Sequence, residues 1–403
     1  MQQDEPRPVQ RPESMRPAHG DRRGLGEVRG NRDRAERRDI HRRALCHGGR
    51  DYALLVLAHR PDERPHEATP ATPAMSTTER GPDRPSPDGP RRDLPRRVAR
   101  RIVRWTLLAA VVMLMLRVSG CAERLFYHPI REATPAPTGA PGSRVVRFES
   151  ADGTKLCGWF VPASSAPSAP ALNDAERVGN GAPSLFFVHG NAGNMNWHYG
   201  FVEELPRLGF NLFLFDYRGY GESEGSAWSR GPLIDDTRAA FEAMLEQQEV
   251  DASRVGMFAQ SLGAALALNA IRDSDPVRVA VLESPFASWR LAAATAIGGN
   301  SPGPIARGLS AALIADDRRP DEAIRSLRFP VLVIHGDADR IVPVVHGRLL
   351  RDAASDRVTL VEFAGGDHNT LRDTHPEATR RMIEFLRRHL AESGDPASAG
   401  PQK

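Results

Sequence analysis

Ser261 stands in Ala259-Gln260-Ser261-Leu262-Gly263, between a strand-like run from Arg254 to Phe258 and a helix-like run from Leu262 to Ile271. Asp339 stands in His335-Gly336-Asp337-Ala338-Asp339-Arg340-Ile341-Val342-Pro343, directly after the apolar run Val331 to Ile334. His368 stands in Gly365-Gly366-Asp367-His368-Asn369, just after the strand-like Val358 to Phe363. A serine hydroxyl is a weak nucleophile until a base takes its proton, and the base needs a third group to hold its tautomer. A nucleophile, then an acid, then a histidine, each following a strand, supplies those three parts. The chemistry open to them is acyl transfer through a covalent serine intermediate.

That chemistry constrains the neighbours. A nucleophile on a sharp strand-to-helix turn needs small residues two positions away on either side. Gly263 meets the need, and Ala259 stands where a glycine is usual but still fits. Ser261 precedes a helix whose first amides favour an oxyanion. A bare N-cap serine is the competing reading. Asp337 is the alternative acid, and Asp339 is preferred for its His-Gly-x-x-Asp-x-x-x-Pro spacing. Phe187 to Asn194 closes another strand with glycines that let backbone amides turn inward, so the amides of Asn191 and Leu262 are the expected oxyanion pair. Asp216 to Ser223 reads as a structural turn braced by Asp216 and Arg218, with a substrate role as the alternative.

The elements that must hold these residues alternate. Val145 to Phe148 and Leu156 to Val161 read as strands joined across Ala151-Asp152-Gly153, a hairpin signal. Residues 162–183 read as an exposed loop. Strands then follow at Leu185 to Val188, Leu212 to Phe215, Val255 to Phe258, Val279 to Leu282, Val331 to Ile334 and Val358 to Phe363. Helices are expected over Trp197 to Leu208, Leu233 to Gln247, Leu262 to Ile271 and Pro376 to Leu390. The pattern predicts an α/β fold with a mostly parallel, doubly wound sheet. Residues 284–327, with Pro302, Pro304 and Pro320, interrupt the alternation and are expected to form a small helical lid; a surface insert without a gating role is the other reading.

The 403 residues allow one large domain with extensions. Residues 1–104 carry 24 Arg and no Lys against 16 acidic residues, whereas residues 105–403 carry 30 basic against 35 acidic. The basic pI therefore describes the head. Residues 1–95, rich in Arg and Pro without apolar period or interleaved aromatics, are expected to be a solvated disordered head and not a nucleic-acid binder. The internal Met75 suggests that residues 1–74 come from a start called too early. Residues 393–403 are expected to be a disordered tail.

The basic run Arg96 to Arg104 precedes the 12 almost wholly apolar residues Trp105 to Leu116, about 18 Å as a helix against the roughly 30 Å of a bilayer core. Val118-Ser119-Gly120-Cys121 then resembles a lipobox. Residues 96–121 are read as a signal peptide with Cys121 lipidated, or as an uncleaved signal anchor. Both readings attach residues 122–392 to a membrane on its extracytoplasmic side. The three cysteines form neither a C-x-x-C nor a paired framework, and the 13 histidines include no H-E-x-x-H, so no metal, cofactor or dinucleotide site is expected.

Taken together, HGNAGN, DYRGYGESEG, AQSLG, LESPF (Leu282 to Phe286), HGDADRIVP and GGDHN resemble the membrane-anchored α/β-hydrolases described as serine aminopeptidase-like, a group that takes in α/β-hydrolase-domain lipases and depalmitoylases. Glu123 to Pro129, after an apolar anchor, is similar to that group as well. The resemblance covers about residues 122–390. It implies an α/β-hydrolase fold, a triad on Ser261, Asp339 and His368, and cleavage of esters or thioesters of acyl chains. The expected substrate is a small acyl ester or lipid-like molecule, in keeping with Trp289, Leu291 and Ile297 in the insert. A peptidase is the second reading, but it needs a negative subsite for a free amine, and no motif supplies one. A catalytically silent scaffold that binds a ligand or partner is the third. Dehalogenase and epoxide-hydrolase chemistry need a carboxylate where Ser261 stands.

Overall fold

A computed structural model describes residues 96–133, 135–138, 140–164 and 181–391. The expected head, Met75, the tail and most of the 162–183 loop lie outside the described residues. The strands are β1 (Arg144–Glu149), β2 (Lys155–Val161), β3 (Ser184–Val188), β4 (Asn211–Asp216), β5 (Val255–Gln260), β6 (Val277–Glu283), β7 (Val331–Gly336) and β8 (Val358–Phe363). They form one 8-stranded sheet in the order β1-β2-β4-β3-β5-β6-β7-β8. β1 pairs antiparallel with β2, and β2 with β4. All further pairs are parallel.

The helices are α1 (Arg96–Val118), α2 (Met195–Tyr199), α3 (Arg230–Leu245), α4 (Leu262–Ala270), α5 (Trp289–Gly298), α6 (Pro304–Leu313), α7 (Pro320–Ala323), α8 (Val345–Ala353), α9 (Leu371–Thr374) and α10 (Pro376–Ala391). The central strands read as unbroken apolar runs because helices cover both faces. On one face Phe186 packs with Phe241 of α3, ring centroids 5.4 Å apart. On the other Phe187 packs with Phe258 at 5.2 Å, in the cluster that holds Met382 and Leu386 of α10. Burying a side chain of this size stabilises by about 1.5–3 kcal/mol, so these aromatic pairs fix the strand ends from which the site loops leave. The sheet reverses direction of winding at β3 and β5, which pair with each other. The loops after those two strands carry Asn191 and Ser261, at the crevice where such sheets place ligands.

Three expectations change in detail. The helix expected over Trp197 to Leu208 stops at Tyr199. It is capped by Asn194, whose Oδ1 accepts from the Trp197 amide at 3.1 Å. Gly200 follows, and Pro206 lacks the N–H a longer helix needs, so Leu205–Leu208 forms only a 3-10 turn. The insert is three short helices, because Gly299, at φ 73°, and the prolines 302, 304 and 320 divide it. The helix before the sheet begins within the arginine run, at Arg96. No helix among the described residues is long and apolar enough to cross a membrane. Near its end, the guanidinium of Arg117 donates to the Ala311 carbonyl of α6 at 3.4 Å.

Candidate active site

Ser261 sits between β5 and α4 with φ 50° and ψ −116°, a strained conformation for a residue with a Cβ. The turn is tied down by its own amide, which donates to the Glu283 carbonyl on β6 at 2.9 Å. It is also tied by packing, since a Cβ on Gly263 would collide with the carbonyls of Val188 and His189. The Ser261 hydroxyl makes no capping bond to α4. It faces His368 instead: Nε2 of His368 lies 3.1 Å from Ser261 Oγ. On the far side of the ring, His368 Nδ1 donates to Asp339 Oδ2 at 2.7 Å. Ser261 is half-buried, His368 is buried and Asp339 is fully enclosed.

Asp339 is held from several directions. Its Oδ1 accepts from the amides of Ile341 and Val342 at 2.9 and 2.8 Å. His335 Nε2 lies 3.5 Å from Oδ2, while its own hydrogen goes to the Val342 carbonyl at 2.7 Å. Burial opposes ionisation of Asp339. The charge and hydrogen bond of His368, with His335 and the Val342 amide, outweigh burial and hold the carboxyl well below the usual range. Burial likewise opposes protonation of His368, but the Asp339 charge and hydrogen bond, aided by Glu283 and Asp367, raise it above its ordinary 6.5. Asp337 points elsewhere: its Oδ1 accepts from the Gly365 amide at 2.6 Å and braces the loop that carries His368.

Of the expected oxyanion donors, Leu262 follows the serine directly, and Asn191 lies in the loop after β3, the strand that pairs with β5. Neither backbone amide donates to another described residue. The loop between β3 and α2 is strained at Ala192, held at φ 60°, and Gly193 at φ 94° supplies the left-handed conformation that follows. Inside the fold it is pinned by Tyr217, whose hydroxyl donates to the His189 carbonyl at 2.6 Å, and by His198, whose Nε2 donates to the Ala192 carbonyl at 2.9 Å. The turn after β4 is structural in its bonding. Arg218 forms a buried ion pair with Asp236 at 2.7 Å and reaches Asp152 at 2.7 Å, and Asp216 accepts from the Met195 amide at 2.6 Å.

Sequence reasoning missed several partners. Glu283 and Arg372 form a buried ion pair at 2.9 Å that ties the His368 loop to β6. His335 and His198 had no assigned role, and single buried histidines carry no spacing signal. Cys121 is exposed in the turn after α1, and Cys157 is buried in β2. Among the described residues no group of three or more His, Cys, Asp or Glu is placed to hold a metal ion.

A mostly parallel sheet with a strained serine turn after β5, an acid loop after β7 and a histidine loop after β8 defines an α/β-hydrolase. Residues 182–314 match the Hydrolase_4 family, described as serine aminopeptidase, S33. The uncharacterized protein YfhR of Escherichia coli (strain K12) is 33% identical over 286 residues, which span 70% of this chain and 92% of YfhR. The lysophosphatidylserine lipase ABHD12 of Danio rerio is 27% identical over 326 residues, 72% of this chain and 83% of its own length. The Pyrococcus furiosus esterase Pf2001 superposes with a TM-score of 0.51 at 19% identity, covering 65% of this chain and 99% of that one, a likeness of fold. The chain belongs to this α/β-hydrolase family.

Proposed function

We propose that the chain is a serine hydrolase that cleaves carboxylic esters or thioesters through an acyl-enzyme. The observation that carries the reading is the continuous relay from Ser261 Oγ through His368 to Asp339, at 3.1 and 2.7 Å, on a turn held at φ 50°. Ser261 Oγ attacks the acyl carbon as its proton passes to His368 Nε2. The carbonyl oxygen takes the negative charge and is met by the amides of Asn191 and Leu262, each donor worth roughly 10²–10³ in rate. Collapse expels the alcohol or thiol, which leaves with the proton from His368. A water then gives His368 a proton as it attacks the acyl-enzyme, and His368 returns that proton to Ser261 Oγ as the acid leaves. Asp339 holds the ring and offsets its positive charge.

A lipid-like acyl group fits the surroundings. Ile297, Ile305, Leu309 and Ile341 are exposed apolar side chains, the first three on the insert and the last two residues beyond Asp339. The side-chain amide of Asn300 donates to the Asp339 carbonyl at 3.4 Å, which sets the α5–α6 turn beside the acid loop, as a lid would be. The name of the fish relative points the same way. An aminopeptidase is less favoured, because the buried carboxylate Glu283 is already paired with Arg372. Attachment at a membrane, on its extracytoplasmic side, is part of the same reading. Trp105, Leu107, Leu114 and Met115 of α1 are exposed, and so is Cys121. An alkyne fatty acid fed to the host cell marks Cys121 if it is the lipidated residue and leaves Cys121→Ala unmarked. Membrane retention without label favours the uncleaved anchor.

A series of p-nitrophenyl esters from acetate to palmitate, with Ser261→Ala as control, tests the activity. Turnover that depends on Ser261 is expected; equal turnover by both proteins overturns the reading.

A further inference from the structure

The segment that leaves α1 does not simply lead to the sheet. Residues 126–130 lie along the oxyanion loop, from the last residue of a 3-10 turn (Glu123–Phe126) onward. The His128 amide donates to Asn191 Oδ1 at 3.1 Å, and the Asn191 side-chain amide donates to the Phe126 carbonyl. The Gly193 amide donates to the His128 carbonyl at 3.1 Å, and the Ile130 amide donates to the Gly193 carbonyl at 2.8 Å. Pro129 and Gly193 form a parallel bridge. The far end is held by the Gly221 amide, which donates to the Ile130 carbonyl at 2.9 Å. The near end is held by Glu123, paired with the nearly buried Arg230 at 2.5 Å.

Asn191 is the hub of this arrangement. Its Oδ1 also accepts from the Tyr220 hydroxyl at 2.9 Å, so both lone pairs and one N–H are in use. A strap that served only to cover apolar surface would not spend the bonding capacity of one side chain in this way. The loop beneath needs outside support, since Ala192, a residue with a Cβ, is held at φ 60°. Such strain persists only where the surroundings over-determine it. The internal pins hold the carbonyls of His189 and Ala192, on either side of the segment that bears the Asn191 amide. From the other side the strap grips Asn191 and Gly193, with the Tyr220 hydroxyl as a second hold on the Asn191 side chain.

We propose that residues 126–130 set the oxyanion loop, with the Asn191 side chain as the positioning residue that aims its own backbone amide. This rests on the ester-hydrolase reading above. Oxyanion donors act only within about 2.7–3.1 Å of the developing charge, and a displacement near 1 Å costs roughly 10²-fold. Loosening the strap therefore lowers kcat and leaves substrate binding alone.

The test uses full-length Asn191→Ala, which removes the side-chain bonds, and Ile130→Pro, which removes the Ile130 N–H. Leu125→Ala, in the same segment but exposed, is the control. Active sites are titrated so that rates refer to folded protein. For a short p-nitrophenyl ester, both variants are expected to lose about 10–100-fold in kcat, with KM within about twofold. An alkyl trifluoromethyl ketone, whose hemiketal oxygen occupies the same hole, weakens by the same factor, and the control matches the parent. Amide hydrogen exchange over residues 190–194 becomes faster in both variants. Parental kcat, a rise in KM alone, or unchanged exchange over 190–194 overturns the proposal. If the unaltered chain shows no Ser261-dependent turnover, the hydrolase reading has failed instead, and the exchange measurement alone decides whether the strap sets the loop.

Discussion

Gly336 and Gly366 touch backbone to backbone. A Cβ on Gly366 would lie 3.0 Å from the Gly336 Cα, and one on Gly336 would collide with the Gly366 carbonyl. The first glycine ends β7 and leads to Asp339; the second precedes His368 by two residues. Their contact is what lets the two loops close to the 2.7 Å between Asp339 and His368. Gly336→Ala must push the loops apart. It is expected to lower kcat by at least about 10²-fold, since displacements near 1 Å cost that much, with the protein still folded by circular dichroism. Parental kcat in the alanine variant would show that the contact does not set the relay.

Ser261 is expected to be the covalent nucleophile. A fluorophosphonate probe should label the unaltered chain, and Ser261→Ala should remain unlabelled and lose about 10⁴-fold or more in kcat. Labelling of both at the same rate would move the nucleophile elsewhere.

Asp339 and Asp337 separate cleanly. Asp339→Asn removes the acceptor that holds His368 Nδ1–H and is expected to cost on the order of 10⁴ in kcat. Asp337→Asn weakens the bond from the Gly365 amide and removes a charge near Arg348, away from the relay. It should cost about 1 kcal/mol of stability and much less activity. Kinetics and urea unfolding of the two variants decide the ranking, and the reverse order would move the acid by two residues.

The acid limb of kcat/KM should report His368, which must be neutral to act as base. Because Asp339 raises its pKa, half-maximal activity is expected above pH 6.5. Asp339→Asn leaves burial opposed only by the weaker effects of Glu283 and Asp367, so the residual activity should have its limb at lower pH. The stability linkage has the matching sign. A raised histidine contributes stability that is present below pH 6.5 and is lost as pH rises through the folded value. Asp339, depressed, contributes stability above its ordinary 3.8 that is lost as pH falls. A limb unmoved by Asp339→Asn would assign it to another group.

The Arg218–Asp236 pair is expected to matter for stability and not for turnover. Asp236 is fully buried and Arg218 nearly so. Asp236→Ala strips a buried charge of its main partner, at about 3 kcal/mol or more. The urea midpoint should fall while kcat per folded molecule stays near parental. A large loss of kcat with stability unchanged would give the turn a substrate role.

Much of this protein is legible from local pattern. The strand runs at 184–188, 255–260, 331–336 and 358–363 are short, mostly apolar and bounded by glycine or polar turns, so their type and order follow from period and composition. Ser261, Asp339 and His368 could be picked out because each follows such a strand in a distinctive local context. After Asn194 the apolar period continues past Gly200 and Pro206 and predicts a longer helix than forms, because those two residues stop it. What the tertiary structure alone decided is distance between loops far apart in the chain. Ser261 and His368, separated by 107 positions, lie 3.1 Å apart only because β5 and β8 belong to one sheet whose loops leave at the same end. The Glu283–Arg372 pair and the strap of residues 126–130 on Asn191 are likewise products of packing. Their partners are ordinary residues until the sheet brings them together, and a backbone hydrogen bond such as Ile130 to Gly193 uses groups that every residue but proline has, so it leaves no mark in the sequence.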